Sequence, residues 1–269
     1  MSSANEATPA RTRVTGVPGE LFALSSGEGK PFMPPMRETF AVPLRHSDIV
    51  VDIGAYVGAY AIRCARYPVQ RVTAYEPTPS TYRVLARTPL PNLITKQAAI
   101  VHDDRETVTL HIGSGLGVTN SIVKADRKRD HITVPAIKYE DAVRGASIVK
   151  IDIEGGEYTL PIVQPSLRAI ILEFHPITGR DWRARAHEIM QNIRDAGFAP
   201  AMEPTFQHGW ALSGAWTREL PTSGAYEPMM RGRECCGCGA PINAATRALC
   251  PRCWEEWLPK HRQGYAHAT

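Results

Sequence analysis

Residues 50–60, Val-Val-Asp-Ile-Gly-Ala-Tyr-Val-Gly-Ala-Tyr, constrain the fold of this chain more than any other stretch. An apolar run ends in a carboxylate, Asp52, turns through glycines and enters a helical segment; the next apolar run ends in Glu76. Open α/β sheets use this strand, turn and helix to hold a nucleoside-bearing ligand beyond the carboxyl ends of their strands. A dinucleotide turn needs glycines spaced G-x-G-x-x-G, because the pyrophosphate must lie against bare backbone at a helix N-terminus. Counted from Gly54, that pattern requires glycine at 56 and 59, where the chain has Tyr56 and Ala59. A nicotinamide-dependent oxidoreductase is therefore an alternative that lacks its phosphate cradle. The spacing Asp-x-Gly-x-x-x-Gly suits S-adenosylmethionine, which has no phosphate and offers a sulfonium, an amino-acid end and a ribose. Those groups call for carboxylates.

The alternation of strand and helix continues along the chain. Residues 48–53 and 71–75 read as strands, and 60–67 and 80–87 as helices, the second with Tyr82 and Leu85 facing inward. Residues 93–101 and 106–112 flank the turn His102-Asp103-Asp104 and predict an added hairpin, and 132–137 leads into a short helix at 140–144. Strands follow at 148–153 and 169–174, with a helical stretch near Tyr158 between them. The helix at 181–196 has Asp181 as its cap, Ala186, Ile189, Ile193 and Ala196 at helical spacing, and Gly197 as its stop. Residues 200–206 and 210–213 predict a closing antiparallel hairpin. This order predicts an α/β fold with a mostly parallel sheet and helices on both faces. The chain divides into a flexible arm at 1–36, a main domain at 37–216, a linker at 217–233, a cysteine module at 234–258 and a tail at 259–269.

In an open sheet, the residues ending each strand meet the ligand. Those residues are Asp52, Glu76, Asp152, and Glu173 with His175. An acid at a strand end also serves simply to complement a helix dipole, but four β-α units converging on one crevice point to a site.

Four motifs lie along residues 36–215: Val51-Asp52-Ile53-Gly54-Ala55-x-x-Gly58, Tyr75-Glu76-Pro77-x-Pro79, Lys150-Ile151-Asp152-Ile153-Glu154-Gly155-Gly156-Glu157, and Ile171-Leu172-Glu173-Phe174-His175. In content and order they resemble the FkbM family of S-adenosylmethionine-dependent methyltransferases. The resemblance implies a class I methyltransferase fold, with a Rossmann-like sheet, and methyl transfer to a hydroxyl on a sugar, glycan or natural product. It implies that Asp52, Gly54, Ala55 and Gly58 line the methionine side of the cofactor. Glu76 would accept hydrogen bonds from both ribose hydroxyls, and Asp152 would lie beside sulfonium and acceptor.

A hydroxyl is a poor nucleophile near neutral pH, so a base is expected. Asp152, Glu154 and His175 are the candidates; the ordinary titration range of a histidine suits the task. An alternative is a divalent ion gathered by the same three residues. Glu157 reads as a helix-start acid complementing the dipole, Tyr56 and Tyr60 as packing residues, and Asn120-Ser121 as part of an acceptor loop. The chain has no Asn/Asp-Pro-Pro-Tyr/Phe element and no Pro-Cys pair in this domain, which disfavours methylation of nucleic-acid bases.

Five of the six cysteines crowd near the C-terminus, a metal-site distribution rather than a disulfide framework. Cys235, Cys238, Cys250 and Cys253 form two C-x-x-C pairs around residues 239–249, the donor set of a zinc-ribbon-like structural site, with Cys236 as a spare ligand. So small a module takes its stability from the metal. Its flanking arginines and Lys260, with Trp254 and Trp257, raise the alternative of a nucleic-acid-associated methyltransferase recruited through the ribbon; the plainer reading is a stabilising cap. The formal net charge of +4 is modest for 269 residues and implies no general polyanion binding. No apolar run approaches the roughly 20 residues of a membrane span. Residues 1–10 lack signal-peptide organisation, so the expected location is cytoplasmic. The acceptor is expected to be a small molecule or carbohydrate.

Overall fold

The computed structural model of the protein describes residues 11–13, 22–24, 41–67, 69–113, 120–123, 130–177, 181–207 and 211–218. The linker beyond Arg218, the cysteine module with Cys235, Cys238, Cys250 and Cys253, and the tail lie outside the described residues. Within the predicted arm, β1 (Arg11–Arg13) and β2 (Phe22–Leu24) form an antiparallel pair.

The main sheet begins with β3 (Ile49–Ile53), followed by α1 (Ala59–Arg66), β4 (Arg71–Tyr75), α2 (Pro79–Leu85) and β5 (Leu93–Lys96). After an inserted sheet come α3 (Tyr139–Ala142), β9 (Ile148–Ile151), a 3-10 turn (Gly156–Thr159), β10 (Ala169–Phe174), α4 (Trp182–Asp195), β11 (Ala199–Gln207) and β12 (Ala211–Thr217). The seven strands lie in the order β11-β12-β10-β9-β3-β4-β5. Neighbours from β10 through β5 are parallel, while β12 runs antiparallel to both β10 and β11. The central strands are nearly continuous apolar runs because both of their faces are covered. On one face Val51, Ile53, Val149, Ile170 and Leu172 pack with Tyr139 of α3 and Trp182, Ala186 and Ile193 of α4. On the other, Val50, Val72, Ala74, Ile148 and Ile171 pack with Ala61 and Cys64 of α1 and Leu85 of α2.

The predicted hairpin at residues 93–112 is not formed. Its first half splits: β5 joins the main sheet, and β6 (Ala99–Val101) belongs to a separate three-stranded sheet with β7 (Thr107–His111) and β8 (His131–Lys138). In that sheet β8 lies between the other two, parallel to β6 and antiparallel to β7. A turn between two short strands reads locally as a hairpin, and only the later strand, sealing Leu110 and Val134 over Ala99, decides otherwise. Two smaller corrections concern strand ends: β9 stops at Ile151 rather than 153, and β12 runs from Ala211 to Thr217 rather than ending at 213.

At the amino ends of the strands, the buried Asp48 ties the sheet together. Its carboxylate accepts from the Arg45 amide at 2.7 Å, from Ser147 Oγ at 2.8 Å, and from Arg168 Nε and a terminal guanidinium nitrogen at 2.8 and 2.6 Å. Burial alone would raise this carboxyl, yet Arg168, Ser147 and the Arg45 amide hold it below its ordinary value.

Candidate active site

At the opposite, carboxyl edge of the sheet, the turn after β3 folds back onto the end of β4. The amides of Gly54 and Ala55 both donate to the Tyr75 carbonyl, at 3.0 and 2.9 Å. Tyr56 adopts a left-handed φ of 52°, which turns its amide onto Glu76 Oε2 at 2.9 Å; Oε1 accepts the Thr78 amide, also at 2.9 Å. The Glu76 carboxylate is therefore aimed by two N–H groups and by the Thr78 side chain. Burial pushes its carboxyl up to about 7, against the pull of the Thr78 and Tyr56 amides. Gly54, at φ 78°, lies where a Cβ would come 1.8 Å from the Asp152 carbonyl oxygen, so β9's continuation passes directly over it. Gly58 caps α1, and Ala55 is buried beside it in the α1-facing core.

Strand alternation carries a second set of charged residues to this edge. Asp52 is paired in register with Lys150, and both project to the α1 side of the sheet, as do Asp152 and Glu173 by the two-residue period. Lys150 Nζ stands 3.4 Å from Asp52 Oδ1 and 3.3 Å from Asp152 Oδ2. Burial raises the Asp52 carboxyl more than Lys150 lowers it. For Asp152 the balance reverses: burial would raise it, but Lys150 and His175 hold it below the ordinary carboxylate range.

His175, directly beyond β10, is the hub. Its Nε2 stands 3.3 Å from Glu154 Oε1, 3.6 Å from Glu173 Oε1 and 3.7 Å from Asp152 Oδ1, while Nδ1 faces Glu157 Oε1 at 3.4 Å. Burial would depress the imidazole, yet Glu157, Asp152 and Glu154 raise it to about 9. Glu157 is fully buried and accepts the Gly155 amide at 2.8 Å and the His175 amide at 2.7 Å. Its position is thus a partner of His175 rather than only a complement to a helix dipole.

Asn120 and Ser121, the latter bridged to His111 of the inserted sheet, are both buried. Asn120 accepts the Gly113 amide at 2.8 Å and donates to Thr78 Oγ1 at 3.0 Å; Ser121 Oγ donates to the Glu154 carbonyl at 2.7 Å. One short segment so braces both the Glu76 loop and the Glu154 loop, where Glu154 itself has a left-handed φ of 56°. A cleft beside the Glu154 loop is lined by Gly155, Tyr158, Ile177, Trp182 and Arg185, among others.

The structure thus brings Asp152, Glu154 and His175 together, sets Asp52 one residue pair away across Lys150, and places Gly54, Ala55 and Gly58 on the adjoining turn, with Glu76 facing it from the end of β4. Lys150, Glu157 and Glu173 complete the charged network; of these the sequence marked Glu173 as a strand-end acid, read Glu157 as a helix-start acid and gave Lys150 no role. The signal for two of them was present: Lys150-x-Asp152 and Glu173-x-His175 repeat the period that puts alternate strand residues on one face.

A mostly parallel seven-stranded sheet with one reversed strand, β12, next to the edge, and acids at the carboxyl ends of β3, β4, β9 and β10, defines a class I methyltransferase-like fold. Residues 52–200, more than half of the chain, match the model of the methyltransferase FkbM domain. The chain belongs to the FkbM methyltransferase family and is an S-adenosylmethionine-dependent methyltransferase of that general kind. Among solved structures it is similar to a precorrin-6y C5,15-methyltransferase from Geobacter metallireducens, at 12% identity over 67% of this chain and 86% of that one, TM-score 0.41. M. capricolum TrmK in complex with S-adenosylhomocysteine matches at 7% identity over 68% of each chain, TM-score 0.40. P. horikoshii TYW2 matches at 12% identity over 79% of this chain and 73% of that one, TM-score 0.41. No curated protein matches. Among the described residues, no helix is long and apolar enough to cross a membrane.

Proposed function

We propose that the protein methylates a hydroxyl oxygen of a sugar, glycan or natural product, with Asp152 as the group that takes the hydroxyl proton. The observation carrying this reading is the placement of Asp152 at the end of β9, 3.3 Å from Lys150 Nζ and 3.7 Å from His175 Nε2, with its side chain 28% exposed while that of His175 is 2% exposed. His175, raised to about 9, is an imidazolium at neutral pH and a poor base; it orients Asp152 and Glu154 instead.

The residues of the turn fit the cofactor. Glu76, aimed by the Tyr56 and Thr78 amides, would accept from the ribose hydroxyls. Asp52, Gly54, Ala55, Gly58 and Asp152 would meet the methionine side, where the excess of carboxylates over Lys150 and His175 suits a cation. When bound, S-adenosylmethionine supplies a methyl group on a sulfonium that departs as a neutral thioether. The protein's part is to align the acceptor oxygen, exclude water and accept one proton at Asp152. The cleft lined by Tyr158, Ile177 and Arg185 is the proposed approach of the acceptor.

Calorimetry with S-adenosylhomocysteine tests the cofactor site, and transfer of labelled methyl groups into candidate sugar and natural-product extracts tests the acceptor class. Asp152→Ala is expected to lower turnover by at least about a hundredfold; a variant of normal rate would remove Asp152 from its role. We also infer, from the paired C-x-x-C spacing, that Cys235, Cys238, Cys250 and Cys253 hold a structural zinc, to be measured as metal content of the purified full chain.

A further inference from the structure

We propose that Asp152, Glu154 and His175 form a binding site for a hard divalent cation, Mg²⁺ or Mn²⁺. The proposal rests on the methyl-transfer reading, because the ion would lie where the acceptor hydroxyl must be held.

One donor atom from each residue falls within 4.8 Å of the others. Donors bound at about 2.1 Å in octahedral geometry stand about 3 Å apart, so a small contraction of the cluster suffices. Nε2 already lies 3.3 Å from Glu154 and 3.7 Å from Asp152. Two carboxylates with one imidazole are a donor set for a hard or borderline ion rather than a thiophilic one.

An independent feature of the imidazole points the same way. A metal-binding histidine is ordinarily held at its other nitrogen by a carboxylate, which fixes the ring and its tautomer. Glu157 stands in that position, 3.4 Å from Nδ1, fully buried and locked by the Gly155 and His175 amides. With Nδ1 turned to Glu157, Nε2 is directed at the carboxylates. Five carboxylates, those of Asp52, Asp152, Glu154, Glu157 and Glu173, converge on Lys150 and His175. Asp152 and Glu154 keep partial exposure, 28% and 12% of their side chains, which leaves an entry path and open positions on the ion for water or a substrate oxygen.

The test is a titration of the full chain with Mn²⁺, followed by calorimetry and by electron paramagnetic resonance of the bound ion. The cysteines do not confuse this measurement, since thiolates select softer metals. Saturable binding at one site, weakened at least tenfold in Glu154→Gln and in His175→Gln, is the expected result. Each variant is accepted only if it still binds S-adenosylhomocysteine, which shows that it is folded. Absence of Mn²⁺ and Mg²⁺ binding at millimolar concentration in protein that binds S-adenosylhomocysteine would overturn the cation site and leave a purely structural imidazolium. Undiminished binding in Glu154→Gln would overturn it as well. Failure of S-adenosylhomocysteine itself to bind would instead sink the cofactor reading, so the two failures are separable.

Discussion

Glu76 couples geometry to pH. Its carboxyl is pushed up to about 7 by burial, and only the ionised form accepts hydrogen bonds from a vicinal diol on both oxygens. Affinity for S-adenosylhomocysteine is therefore expected to fall as pH drops through about 7, and Glu76→Gln to weaken binding at least tenfold and flatten the pH profile, as read by calorimetry between about pH 6 and pH 8. Gly54 makes a different demand. A Cβ there would meet the Asp152 carbonyl at 1.8 Å, so Gly54→Ala is expected to cost at least about 2–3 kcal/mol in urea unfolding. Gly145 also has positive φ, 72°, but nothing within 4 Å; Gly145→Ala should cost only about 1 kcal/mol, the left-handed backbone alone. The sequence motif marked Gly54 as a ligand-facing position, whereas the tertiary contact is with the neighbouring strand's backbone. No local pattern announces that approach, because Asp152 is far away along the chain.

Strands and helices were legible where one period dominated. The runs at 71–75 and 169–174 match β4 and β10, and Asp181 caps α4 by accepting the Ala184 amide at 3.2 Å. The inserted sheet was not legible, since which strand enters between β6 and β7 depends on pairing partners brought from residues 131–138. The staple at the amino edge was equally hidden: Asp48, Ser147 and Arg168 belong to three different connections. Removing one member leaves a buried charge uncompensated, so Arg168→Ala is expected to destabilise by about 3–5 kcal/mol. Because the Asp48 carboxyl lies below its ordinary value when folded, its contribution is present above the unfolded value and lost as pH falls through the folded one. Asp48→Asn should blunt that acid sensitivity in a thermal-melt series.

Among the described residues, the apolar clusters on the two faces of the sheet and the charged network around His175 lie within residues 41–218. A chain ended after Arg218 is expected to unfold cooperatively and bind S-adenosylhomocysteine with affinity close to that of the full chain; loss of either would show that the remaining residues complete the domain. The strand-turn-helix at residue 50, the acids at successive strand ends and the β-α alternation sufficed to specify the mostly parallel sheet and the family, because these signals are periodic and local. The choice among Asp152, Glu154 and His175 was different. It turns on a histidine surrounded by carboxylates from residues 152–157 and from the end of β10. Electrostatic interactions fall off with distance through space, not along the chain, and that distance exists only once β9 and β10 lie side by side.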